Sequence, residues 1–189
     1  MNEPRPSHTH FEQGPVARLC RLTKLVLALS FACVIASATT AMAQTLWGNA
    51  VHGMSVAAAL EAIEGSRPVS PDTTSTLGSG ALERLSVPGL RVAGHDLTAR
   101  LFFLDDELET VWLDAAVGRG DIATLDRIYE SLLTGLRARY GAETSSARAT
   151  GMFPTRRTTW IVDDVSIVLF HGYDAVRIVY RRAEGIDVL

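Results

Sequence analysis

Cysteine and lysine are missing from most of this sequence. Both cysteines, Cys20 and Cys33, and the single lysine, Lys24, lie within the first 43 residues. Residues 44–189 can therefore form no disulfide, and they offer no thiolate as a nucleophile or zinc ligand. Thiol catalysis and cysteine-ligated zinc are excluded for this part of the chain, and its stability must come from packing.

Basic residues are also outnumbered. Residues 44–189 contain 14 arginines (18 − 4) and 19 acidic residues (21 − 2), a formal charge of −5. Two short pairs, Arg156-Arg157 and Arg181-Arg182, are the nearest approach to a basic cluster. Because nucleic-acid binding depends on the neutralisation of many phosphates, this composition argues against a nucleic-acid partner.

The first 43 residues have the three parts of an export signal. A basic cluster of Arg18, Arg21 and Lys24 precedes the uncharged run from Leu25 to Ala38, and Ala41-Met42-Ala43 follows as an A-x-A cleavage pattern. We expect a signal peptide over residues 1–43, cleavage before Gln44, and a periplasmic or secreted mature protein. The alternative is an uncleaved anchor over Leu25 to Ala43, which is close to the length that spans a membrane.

The first half of the remaining chain reads as a helix, a loop and strands. Ser55 is a good N-cap for a helix that places Val56, Ala59, Leu60 and Ile63 on one face and ends at Gly65. The Pro-, Ser- and Gly-rich residues 66–80 predict a long, flexible, exposed loop. A short strand over Ala81 to Val87 should stop at Pro88-Gly89, and Leu90 to Ala93 could form another. Leu97 to Leu104 and Leu108 to Ala115 should form a hairpin around Asp105-Asp106-Glu107.

The second half repeats this order. Asp121 should cap a helix from Ile122 to Tyr140, which Gly141 ends. Its apolar residues recur every three or four positions and predict a buried stripe: Ile122, Leu125, Ile128, Leu132, Leu136 and Tyr140. A polar loop up to Pro154 should precede three strands, Thr158 to Val162, Val165 to Phe170 and Ala175 to Arg181.

These elements predict one mature α+β domain over residues 44–189. The expected architecture is a two-layer sandwich, an antiparallel sheet of hairpins with two helices packed on one face. The shared order of the halves, each with an Asp-Asp turn, suggests a helix–hairpin internal duplication as a hypothesis. Val168 and Phe170 alternate away from the expected core side of their strand, which indicates that the second sheet face is covered or binds a partner.

A few short motifs carry a resemblance. Trp47-Gly48, the helix entry Gly53-Met54-Ser55, the segment FFLDDELETVWL and Tyr140-Gly141 are similar to patterns in small uncharacterised exported bacterial proteins. The helix entry also resembles that of small envelope lipoproteins that assist outer-membrane assembly. The resemblance implies an α+β sandwich in the cell envelope and supplies no catalytic residues. Unlike those lipoproteins, this chain has bulky Phe31 close before Cys33, which argues against lipid attachment there.

Three histidines are the main candidates for chemistry. His52, His95 and His171 could join Asp163, Asp164 or Asp174 in a zinc site. Their scattered positions lack the spacing that places two ligands on one face, so surface or turn histidines are the favoured interpretation.

The other polar motifs are explained by local structure. Asp105-Asp106-Glu107 with Glu109 lacks the ligand spacing of a calcium loop and suits a hairpin turn. The patterns of serine hydrolases and of nucleotide-binding loops are absent. Arg119-Gly120-Asp121 matches an adhesion tripeptide, but Asp121 is better explained as a helix cap.

We therefore expect no catalytic, cofactor-binding or metal-binding residues and no cofactor. The favoured function is a non-catalytic binding module for a protein or peptide of the cell envelope, without a membrane span in its mature form. The alternative is a small periplasmic hydrolase or metal-dependent enzyme that uses the three histidines and the turn carboxylates.

Overall fold

A computed structural model describes residues 44–115, 121–152 and 154–183. All of them belong to one compact unit, residues 42–189. The predicted signal peptide and its cleavage site lie almost wholly outside the described residues. None of the described helices is long and apolar enough to cross a membrane.

Ten strands, two α-helices and one 3₁₀ helix make up the described residues. The first half contains β1 (Thr45–Trp47), β2 (Ala50–Val51), α1 (Val56–Ala62), β3 (Arg67–Pro68), the 3₁₀ helix (Pro71–Thr73), β4 (Leu82–Val92), β5 (His95–Leu104) and β6 (Glu107–Ala115). The second half contains α2 (Ile122–Tyr140), β7 (Ser145–Ala149), β8 (Thr155–Val162), β9 (Val165–His171) and β10 (Val176–Arg182). The fold is α+β, with the predicted predominance of antiparallel strands.

Eight strands form one antiparallel sheet in the order β3-β4-β5-β6-β10-β9-β8-β7. Strands β3 to β6 form one four-stranded meander and β7 to β10 form another. The last strands of the two meanders, β6 and β10, pair antiparallel at the centre of the sheet. Strands β1 and β2 form a separate two-stranded sheet.

Both helices begin where the sequence predicts. The Ser55 hydroxyl accepts a hydrogen bond from the N–H of Ala58, and the Asp121 carboxylate accepts one from the N–H of Thr124. These bonds satisfy helix N–H groups that have no partner within the helix. At the other end of α2, the N–H of Gly141 donates to the carbonyl of Arg137.

The helices contribute to the same hydrophobic core as the sheet. Side chains from α2 that are buried in it are Leu125, Ile128, Tyr129, Leu132, Leu133 and Leu136. The apolar face is wider than predicted, because Tyr129 and Leu133 are also buried, whereas Ile122 and Tyr140 are only partly buried. Ala59 in α1 and Ile63 just after it are buried, but Leu60 is 42% exposed, so its predicted burial was wrong. Leu60 follows Ala59 by one position, which turns its side chain roughly 100° around the helix.

Pro88-Gly89 does not end a strand. The ladder between β4 and β5 shifts register between Val87 and Leu90, so the two residues form a bulge within one strand. Gly89 has a φ of 71°, which glycine adopts without a steric penalty. Proline is tolerated at a bulge because the ladder needs no N–H there.

Two other segments differ from the prediction. The predicted polar loop before Pro154 contains β7, an exposed edge strand that pairs with β8. The predicted loop over residues 66–80 is largely exposed, as expected, but it contains β3 and the 3₁₀ helix. Its flexibility remains a prediction.

Three hairpins close through two-residue turns in the left-handed region. They are Ala93-Gly94, Asp105-Asp106 and Asp163-Asp164, each with positive φ at both residues. Such turns match the twist of the paired strands, and aspartate tolerates this conformation better than most residues do. The two Asp-Asp turns close different hairpins: one joins the third and fourth strands of its meander, and the other joins the second and third.

Candidate binding face of the sheet

The sheet has a second face that lies outside the main core cluster, which we call the Trp112 face. Because side chains alternate along a strand, this face carries every second residue of the central strands. Its residues are Arg100, Phe102, Thr110, Trp112, Asp114, Arg157, Thr159, Ser166, Val168, Phe170, Arg177, Val179 and Arg181. The face therefore combines aromatic, aliphatic and arginine side chains.

Trp112 lies at the centre of this face. Its neighbours across the two adjoining strands are Arg100 on β5 and Val179 on β10. The Arg177 guanidinium carbon lies 3.7 Å from the centre of the Trp112 ring, and the Phe102 ring centre lies 4.6 Å away. A guanidinium at this distance is attracted by the electron-rich ring face. The indole is therefore in contact with both a cation and an aromatic ring.

An ionic network holds the arginines around Trp112. Asp114 accepts hydrogen bonds from Arg177 and from Arg100, the latter at 3.2 Å. Arg100 also donates to Glu83 and to the hydroxyl of Ser75. The hydrogen bond to Glu83 raises the pKa of Arg100, and Asp114 adds to this against the opposing effect of burial. Both arginines are thus paired with carboxylates in a setting partly shielded from water.

A groove of about 590 Å³ runs over this face. One wall is the segment from Thr76 to Ser79, and the floor is formed by side chains of β6, β8, β9 and β10. The Ser79 hydroxyl donates to the Glu109 carboxylate at 2.9 Å, which ties the wall to β6. The residues at the floor are Thr110, Trp112, Arg157, Val168, Phe170, Arg177, Val179 and Arg181.

Val168 and Phe170, which the sequence predicts to point away from the core, both lie on the Trp112 face. Val168 is buried there and Phe170 is partly exposed. Sequence alternation within one strand identified this face. It did not identify Trp112, Asp114 or Arg177, because their contacts depend on the pairing of β6 with β10.

The three histidines do not come together. His95 and His171 lie on β5 and β9, which β6 and β10 separate, a distance of about 14 Å at the usual strand spacing. His52 lies near the start of β6, since the N–H of Gly53 donates to the carbonyl of Leu108. His171 lies level with the end of β6, where Ala115 and His171 both pair with Val176. Within the described ranges, no three His, Cys, Asp or Glu side chains converge to hold a metal ion.

His171 has a different acidic neighbour from those predicted. Its Nε2 atom lies 3.2 Å from Asp126 Oδ1 on α2, although neither ring nitrogen makes a well-directed hydrogen bond with a described residue. Arg156 donates to the same carboxylate oxygen at 2.7 Å, and to Glu130 at 2.7 Å. The Tyr129 ring packs edge-on against His171, and its hydroxyl bonds to Thr158 at 2.7 Å. This cluster joins α2 to β8 and β9 on the core side of the sheet.

Three of the candidate aspartates also have structural roles, Asp106 and Asp121 through their carboxylates and Asp163 through its backbone carbonyl. Asp106 accepts a hydrogen bond from the N–H of Val56 at 3.4 Å, and so links the β5–β6 turn to the start of α1. The Asp163 carbonyl accepts one from the side chain of Gln44. Asp121 is exposed and caps α2, and its hydrogen bonds with Thr124 lower its pKa.

The Trp112 face is therefore the candidate functional site, because its groove brings aromatic side chains together with charged groups. No protein-family model, curated protein or solved structure matches this chain.

Proposed function

We propose that this chain is an exported, non-catalytic module that binds a protein or peptide of the cell envelope on its Trp112 face. The groove over Trp112, Phe170 and Arg177 carries this proposal. Tryptophan, tyrosine and arginine dominate the energetics of protein interfaces, because they combine large contact areas with polar groups.

The fixed position of Trp112 supports a binding role. Its indole is held by Arg177 and Phe102, and Arg177 is held by Asp114. A side chain that is already ordered loses little conformational entropy when a partner covers it. Trp112 is therefore suited to anchor a partner.

The placement of the ionisable groups also favours binding over catalysis. The three histidines lie apart, His52 near the start of β6 and the other two near its end on separate strands. The carboxylates of Asp106 and Asp121 link or cap backbone segments. His171 and Asp126 are close, but they lie on the core side, away from the groove. An acid–base pair has to reach a bound substrate within hydrogen-bond distance, and this arrangement offers none to a ligand in the groove.

The architecture and the compartment form part of the same proposal. The symmetric sheet order supports an internal duplication of a helix followed by four strands, with both helices layered on one face. The two Asp-Asp turns give the duplication no support, since they close hairpins that do not correspond. The basic, apolar and A-x-A parts of residues 1–43 support export and cleavage before Gln44.

Site-specific photocrosslinking in the producing cell tests the binding role. A benzophenone amino acid at Phe170 should trap a protein partner. The same group at Ala138, an exposed position on α2, should not. Identical products from both positions, or none from Phe170, would contradict the proposal.

A further inference from the structure

The Trp112 face is covered unevenly. The segment from Val69 to Ala81 lies against its β4–β6 half, where Ser75 binds Arg100 and Ser79 binds Glu109. In the second meander, the corresponding connection between β7 and β8 is only residues 150–154. Phe102 on the covered half is fully buried, whereas Phe170 on the other half is partly exposed. The half formed by β8, β9 and β10 is therefore the open part of the face.

Two arginines of the open half differ from the other arginines of the face. Arg100 on β5 and Arg177, which lies on β10 beside β6, are paired with Glu83 and Asp114. Arg157 and Arg181 are exposed, and neither side chain makes a hydrogen bond or ion pair with another described residue. This part of the face is thus locally positive in a chain whose formal net charge is −3.

The two free arginines lie at opposite corners of an apolar patch. Arg157 pairs across the strands with Phe170, and Arg181 follows two residues after Val179, which pairs with Val168. Two strand spacings and a rise of four residues separate their Cα atoms by about 17 Å. An extended peptide spans about 14 Å over four residues, and its first, third and fifth side chains point the same way.

We propose that the open half binds an extended segment of a partner protein with the pattern acidic-x-apolar-x-acidic. The two carboxylates would pair with Arg157 and Arg181, and the central apolar side chain would pack on the partly exposed Phe170 and Val179. Because arginine binds carboxylates through paired N–H donors, both corners suit acidic side chains. This inference rests on the proposed binding function and adds the chemistry of the partner.

Phage-displayed random 12-residue peptides, selected at low salt on the protein purified from its exported form, provide the test. We expect the selected peptides to be enriched in two acidic residues that flank an apolar one at this spacing. For a synthetic peptide of the selected sequence, Arg157→Gln and Arg181→Gln should each raise the Kd about five- to tenfold, and salt should raise it further. The matched control is Arg148→Gln on β7, an exposed arginine whose cross-strand neighbour Arg156 contacts α2; its Kd should stay within about twofold.

Three outcomes would overturn this inference. The first is a selection that yields no peptides, or peptides without paired acidic residues. The second is an unchanged Kd in both arginine variants while circular dichroism shows that their folding is intact. The third is a dimer, seen by sedimentation, that Arg157→Gln dissociates, which would assign the surface to a second copy of the chain. If the Phe170 crosslink forms all the same, the binding module stands and only the acidic pattern is refuted.

Discussion

Replacing Leu132 with alanine should test whether α2 packs on the sheet as described. Leu132 lies near the middle of α2, is 1% exposed and belongs to the core cluster. Alanine removes about three buried carbons, which costs roughly 2–3 kcal/mol in transfer free energy. The cavity adds to this cost, since close-packed neighbours relax only partly, so we expect a total loss of about 3–4 kcal/mol.

Urea unfolding followed by circular dichroism measures this loss. With a slope of about 2 kcal/mol per molar urea, the midpoint should fall by roughly 1.5–2 M. Leu60→Ala in α1 is the matched control: the same chemical change at a side chain that is 42% exposed should cost less than about 1 kcal/mol. Equal losses at the two positions, or an unchanged midpoint for Leu132→Ala, would show that the burial of these helices has been assigned incorrectly.

Three further predictions concern processing, metal and pH. Mass spectrometry of the exported protein should find Gln44 at its N-terminus, and a product that retains Leu25 to Ala43 would instead indicate an anchor. Elemental analysis should find no stoichiometric metal, and chelator should leave the Tm unchanged; one zinc equivalent that His171→Ala abolishes would favour the enzyme alternative. The hydrogen bond from Arg137 lowers the pKa of Glu143 from 4.5 to about 2. The stabilisation by this pair should therefore be complete above pH 4.5 and disappear as the pH falls to about 2. The difference in urea midpoint between wild type and Glu143→Gln should be small at neutral pH, because both groups are solvent-screened, and should vanish at the acidic end; a constant difference would contradict the assignment.

Helix α2 shows what the sequence could predict. Its bounds, Ile122 and Tyr140, agree with the prediction because the signals are local: a capping aspartate, a periodic apolar stripe and a terminal glycine. The β5–β6 hairpin was predicted for the same reason, since two runs of β-forming residues flank a turn sequence.

Strand β7 shows where local signals fail. All five residues of Ser145–Ala149 are exposed, and the strand joins the sheet by pairing with β8 alone. Such an edge strand has no apolar alternation to detect, because its pairing rests on backbone groups that every residue has.

Pro88-Gly89 led to the opposite error. This pair is a strong local signal for the end of a strand, but it lies at a bulge, where the ladder tolerates it.

The candidate site was predicted only in part, for a reason of topology. Alternation in β9 pointed to a second face through Val168 and Phe170. The contacts of Asp114 with Arg100 and Arg177 require β6 to lie between β5 and β10. Sequence order places β10 far from β6, so no local pattern reveals this neighbour.

The uneven cover of the Trp112 face explains why Arg100 has carboxylate partners whereas Arg157 and Arg181 have none among the described residues. Where the segment from Val69 to Ala81 shields the sheet, an unpaired arginine would be costly, and Arg100 is paired on two sides. Where the connection is short, water can solvate Arg157 and Arg181, so no internal partner is required. The short β7–β8 connection thus leaves solvated cations beside the partly exposed Phe170. A partner that covers this surface removes the water from both guanidinium groups. It must therefore supply carboxylates that replace this solvation, as well as apolar contact.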